Sequence, residues 1–128
     1  MTLSLPLSAA ETIVRQILER HQFGIISDID IQEKLREKLG ITDHPPHKIL
    51  GACNPKLAYQ APQENIDVAL TLPCNVVLRE IGGKTIISAF LPTVALQPFA
   101  GEKVSEAANA AEKALAEAFD ELSSHSKP

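Results

Sequence analysis

The chain has two cysteines, Cys53 and Cys74, and each is followed directly by an asparagine, Asn54 and Asn75. A thiolate is a nucleophile and a soft-metal ligand, and its pKa falls near cationic groups and helix N-termini. A carboxamide donates and accepts, so it can orient a small bound molecule. The segment "GACNP" reads as strand end, cysteine, capping asparagine and first-turn proline. Free backbone N–H groups at such a helix start carry partial positive charge and favour a thiolate or an anion. If the turn after Pro73 meets this one in space, Cys53, Asn54, Cys74 and Asn75 surround one pocket for a small anion, a metabolite or a soft metal. Two other readings stand beside it. In one, Cys53 is the nucleophile of a thiol-dependent redox enzyme and Cys74 its resolving thiol, although the C-x-x-C arrangement is missing. In the other, cysteine serves as a small buried hydrophobe, both pairs are capped turns, and the protein works as a structural partner.

Further groups could do chemistry and have plainer explanations. His44 and His47 flank two prolines, and with Cys53 and Cys74 they make a donor set suited to tetrahedral zinc. Their spacing is that of no compact zinc motif, and loop histidines are commonly solvated. Asp28 and Asp30 are spaced like an acid–base pair, but Asp28 ends a strand and Asp30 stands where a helix cap belongs. No glycine-rich phosphate loop follows a strand, and no cofactor is expected.

The elements that must position these groups follow from periodicity. Residues 2–7 alternate apolar and polar, as an edge strand containing Pro6 would. Ser8 and Glu11 have capping-box spacing ahead of a helix that runs to about His21. Residues 23–29 form a strand, and Asp30 and Glu33 then cap a helix over 31–39 that stops at Gly40. "ITDHPPH" is a loop, and 48–53 is a strand. The helix that starts at Asn54-Pro55 is expected to stop near Ala61, because Pro62 follows. Residues 65–72 fit a helical turn or a strand. Residues 74–90 form a hairpin around Gly82-Gly83. A connector leads to a helix over about 102–122 with an apolar stripe of Val104, Ala108, Ala111, Leu115, Ala118 and Leu122, and 123–128 is expected to fray. The order β-α-β-α-β-α-β-β-α implies a single α/β domain over residues 1–122, built on a small mixed sheet of four to five strands.

Composition narrows the function classes. A chain of 128 residues can bury one core without metals or disulfides. With four Phe, one Tyr and no Trp, that core is aliphatic. The net charge is −4 and basic residues are scattered, which excludes the basic face of a nucleic-acid binder and the polybasic patch of a membrane-surface protein. No apolar run is long enough for a membrane helix. The first residues lack a cationic region before an apolar stretch, so the expected compartment is the cytoplasm, with reduced thiols.

"FGIISDIDIQEKLREKLG", "HKILGACNPKLAYQA" and "LPCNVVLRE" occur in this order. Together they resemble the bacterial and archaeal domain of unknown function 302, over roughly residues 22–92. The matching positions are Phe23, Gly24, Asp28, Asp30, Leu39, Gly40, Gly51, Ala52, Cys53, Asn54, Pro55, Pro73, Cys74 and Asn75. The resemblance implies a compact α/β domain that assembles as a homodimer, and it implies no established activity. His47 stands where the family pattern favours an aromatic, so a metal site using it is not implied by the resemblance.

Overall fold

The computed structural model describes residues 1–99 and 101–125. Five strands form one sheet: β1 (Thr2–Leu3), β2 (Gly24–Asp30), β3 (His47–Cys53), β4 (Cys74–Ile81) and β5 (Lys84–Ala89). Five helices join and cover them: α1 (Leu7–Arg20), α2 (Ile31–Leu39), α3 (Pro55–Glu64), α4 (Pro92–Ala95) and α5 (Glu102–Ser123). Short 3-10 helices occupy Ile66–Thr71 and Gln97–Phe99. The strand order is β1-β5-β4-β3-β2. The α/β class holds, but the sheet expected to be mixed is antiparallel at every pairing. The connections explain this. Those carrying α2 and α3 return the chain to the end of the sheet it has just left, whereas a parallel neighbour needs a crossover back along the full strand length.

The local signals fold as their chemistry dictates. Asp30 accepts from Glu33 N at 3.0 Å, and Gly40 ends α2 at φ 68°. Gly82 and Gly83, at φ 58° and 77°, make the two-residue turn between β4 and β5. Residues 65–72, ambiguous in sequence, contain the 3-10 helix. Three boundaries differ from expectation. The first strand shrinks to Thr2–Leu3, because α1 already starts at Leu7 behind Pro6. Ser8 therefore lies inside the first turn and caps nothing. The third helix runs through Pro62 to Glu64: Pro62 has no N–H to give, but Asn65 N closes the next turn on Ala61 O at 3.2 Å. The tail expected over 123–128 is helical at Ser123 and a turn at Ser124 and His125, and 126–128 lie outside the described residues.

The two faces of the sheet have different surroundings. Leu50, Ala52, Val76, Leu78 and Ile87 are buried with apolar residues of α1, α3 and α5, and each large side chain so buried contributes about 1.5–3 kcal/mol. The expected stripe of α5 is buried, with Ala107 added to it. Its alanines let this helix lie close to its neighbours. On the other face none of Ile29, Ile49, Val77 and Ile86 is buried, and Ile29 keeps 42% of its surface. The amphipathic α2 buries no residue fully.

Carboxylates from distant segments hold three helix starts. Glu80 Oε1 on β4 accepts from Leu7 N of α1 at 2.7 Å. Glu112 Oε1 on α5 accepts from Thr93 N and Thr93 Oγ1 of α4 at 3.1 and 2.6 Å. Glu64, at the end of α3, accepts from Lys103 N and Val104 N of α5 at 3.2 and 2.9 Å. Each carboxylate satisfies otherwise unpaired N–H groups and complements the positive end of the helix. Gly101 leaves room for the last of these, since a Cβ there would overlap the Glu64 carboxylate. Glu64→Ala should cost about 1 kcal/mol in urea unfolding, the usual cost of a lost cap. Gly101→Ala should also destabilise, but less in the Glu64→Ala background, because the atoms it collides with are then gone. Strict additivity in that cycle would contradict the assignment.

Candidate functional site

A groove lies where β4 begins and β5 ends. It has a volume of about 630 Å³, within the range of small-molecule sites. Pro73, Val77, Ala89, Phe90, Leu91, Pro92, Val94 and Ala95 make its walls apolar, and Thr71, Cys74, Asn75 and Ser88 supply its polar groups. The hairpin fixes the floor, because its register sets Val76 against Ala89 and Val77 against Ser88. α4, held at its start by Glu112, forms the rim. Phe90, Leu91 and Val94 remain 71%, 51% and 48% exposed, an unusual concentration of apolar surface. No charged side chain among the described residues lines the groove.

The four residues of the two Cys-Asn pairs divide between places. Cys74 and Asn75 line the groove. Asn54 is buried and accepts from Leu57 N at 3.1 Å, so its oxygen serves the cap of α3, and the residue borders a separate hollow beside Phe23 and Pro55. Cys53, half-buried at the end of β3, lines neither. Register sets Cys74 against Ala52 and Gly24 against Cys53. The thiols are thus neighbours across adjacent strands, but Cys53 shares the pleat direction of Gly51 and Cys74 that of Val76, on opposite faces. Both are free thiols. Bridging them would require the strand ends to rearrange.

Burial pushes the Cys74 thiol up, and the charge of Cys53 pushes it further the same way. Cys74 is therefore a protonated thiol at neutral pH rather than a thiolate, and it packs against the core at the edge of the groove. Above β3, Gly51 is closed over by Ser27 and Pro73: a Cβ would overlap Ser27 Oγ and come within 2.9 Å of Pro73 Cγ. This glycine thus allows the approach to the groove, the segment at Pro73, to seat against the sheet.

The remaining candidates have other roles. His44 and His47 stand edge to edge, with ring centroids 5.6 Å apart and facing nitrogens 3.3 Å apart, and His47 pairs with Arg79 across the sheet. β3 separates His47 from Cys53 by roughly 20 Å, at about 3.4 Å per residue. The zinc set of His44, His47, Cys53 and Cys74 is therefore corrected: these four cannot share one ion, and no group of three or more His, Cys, Asp or Glu among the described residues could hold a metal. Burial, then the charges of His44 and Arg79, lower the His47 pKa. Asp28 joins a ring of four charges with Arg15 at 2.7 Å and Lys48 at 3.2 Å, both of which also meet Glu11. Burial works against the Lys48 ammonium, but hydrogen bonds to Glu11 and Asp28 outweigh it and raise the pKa. The aspartates are thus spent on structure. Sequence reasoning missed Phe90, Leu91 and Val94; the available signal was an aromatic at the end of the hairpin followed by two aliphatics in a connector, where polar residues are usual.

A family model described as "Domain of unknown function DUF302" matches residues 1–122. A solved structure titled as an uncharacterized conserved protein DUF302 from Bacillus stearothermophilus is 30% identical, covers 94% of this chain and 93% of its own, and superposes with a TM-score of 0.83. No curated protein matches the chain.

Two measurements check the electrostatics. Alkylation of Cys74 by iodoacetamide, followed by peptide mass spectrometry against pH, should show a midpoint above the ordinary thiol value of about 8.5, and Cys53→Ser should lower it. A midpoint at or below that value would contradict the buried-thiol assignment. A histidine whose pKa is depressed on folding contributes stability that is present above about pH 6.5 and lost as pH falls through its folded pKa. His47→Phe should therefore lose less stability than the wild type between pH 7 and pH 5. An equal loss would show that His47 carries none of this dependence.

Proposed function

The chain belongs to the DUF302 family, and from that premise we propose that it is a cytoplasmic homodimeric module that binds a small, neutral, mainly apolar molecule in the groove at Cys74 and Asn75. The composition of the groove carries this reading: apolar walls, one carboxamide, two hydroxyls and, among the described residues, no charge. An anion would leave water for a site without a lysine, arginine or open helix N-terminus, at a desolvation cost with nothing to offset it. A soft metal would find a single thiol there. A neutral ligand with an aromatic or aliphatic body and one amide, carbonyl or hydroxyl meets the opposite situation. Its body covers Phe90, Leu91 and Val94, and its polar group pairs with Asn75 or Ser88.

Exposed apolar surface supports the dimer. Besides the rim, Tyr59, Ile66 and Leu70 are 73%, 72% and 81% exposed. Large exposed apolar groups of this kind commonly mark partner surfaces. Cytoplasmic residence agrees with two free thiols. No helix among the described residues is long and apolar enough to cross a membrane.

Titration with benzamide and with indole, followed by amide NMR shifts, tests the site. Saturable shifts should concentrate at residues 71–77 and 88–95. Asn75→Ala should weaken benzamide by about two- to tenfold, the worth of one hydrogen bond, and leave indole less affected. Absent or scattered shifts would contradict the proposal. Sedimentation equilibrium should give twice the 13.8 kDa chain mass, and a persistent monomer would remove the dimer.

A further inference from the structure

We propose that His44 and His47 form a two-imidazole chelate for a borderline divalent cation such as Zn²⁺ or Ni²⁺, independent of the groove and of both cysteines. The spacing of the two nitrogens carries the proposal: His44 Nε2 lies 3.3 Å from His47 Nδ1. A tetrahedral ion held at zinc–nitrogen lengths of about 2.0–2.1 Å keeps two of its nitrogens about 3.4 Å apart. The pair already stands at that separation. The rings are near parallel, 24° between planes. Starting from lone pairs directed at one another, each ring must tilt by roughly 35° for both to aim at one ion. These side chains are partly buried, not locked in the core, which leaves room for the tilt.

The backbone that presents the pair is tied down on both sides. Pro45 and Pro46 lie between the two histidines and fix their own φ angles. Gln32 Nε2 donates to His44 O at 3.0 Å, and Glu80 N donates to Pro46 O at 3.0 Å. The separation is thus set by an anchored loop on one side and by β3 on the other.

Protonation also suits a ligand. Without an ion, one ring nitrogen donates to the other, and a tautomer shift of the donor ring frees both lone pairs with no net loss of a proton. Arg79, the cross-strand partner of His47, opposes a cation, but it is exposed and its charge is screened by salt. No third His, Cys, Asp or Glu completes a group among the described residues, so water fills the remaining positions. The site is therefore an exchangeable one, not a structural closed shell.

The test uses the full chain, Zn²⁺ alone, calorimetry and long-range ¹H–¹⁵N spectra of the histidine rings. One Zn²⁺ per chain should bind, with His44 Nε2 and His47 Nδ1 shifting while His21 and His125 stay in place. His44→Gln and His47→Gln should each weaken binding by at least about tenfold, the loss that even an outer-shell change brings to a metal site. His44 lies in a loop, so His44→Gln remains decisive if His47→Gln perturbs the strand. Undetectable Zn²⁺ binding, binding unchanged in either folded variant, or shifts confined to His21, His125 or the thiols would overturn the proposal and leave the pair as a hydrogen bond only.

Discussion

Burial of one face of an antiparallel sheet is the constraint on which the rest of this molecule depends. Leu50, Val76, Leu78 and Ile87 can leave water only if helices cover them, and α1, α3 and α5 do so. An alternating strand that buries one side chain must turn the next one away. Val77 and Ile86 therefore face out because Val76 and Ile87 face in. The open face, with the groove at its Cys74 end, is a consequence of how the core is made.

Covering the sheet demands that the helices start in the right places, and here electrostatics takes over from hydrophobicity. α1, α4 and α5 each begin without a capping side chain of their own. Glu80, Glu112 and Glu64 supply the missing acceptors from other elements. Each bond fixes a helix end to the piece it must pack against. The contact of Glu112 with α4 also sets the rim of the groove, so the same device that holds the fold positions the proposed site.

Such arrangements explain what could be read in advance. Asp30 with Gly40, Asn54 with Pro55, and Gly82 with Gly83 act within a few residues of themselves, and each produced the expected cap or turn. The stripe of α5 repeats often enough to show its buried side. Ser8 and Glu11 had the right spacing but lost to Glu80, a carboxylate 73 residues from the Leu7 N–H that it accepts, which no local pattern displays. Pro62 did not stop α3, because a proline removes one bond but not the burial of Leu57 and Ala61 around it. Of the site, Cys74 and Asn75 were visible as a pair of chemical groups. Their separation from Cys53 and Asn54 was not, since the pleat decides to which side each cysteine points. Nor were Phe90 and Val94, which become walls only when α4 folds back beside the hairpin.

The central claim is that neighbouring residues of β4 have different tasks: Val76 stabilises, and Val77 lines a surface kept for binding. Urea unfolding of Val76→Ser and Val77→Ser, in otherwise identical chains, tests it most directly. The account predicts a loss of about 2–4 kcal/mol for Val76→Ser, as for a large-to-small change in a packed core, and less than half of that for Val77→Ser. Equal losses, or a larger one at Val77, would contradict it.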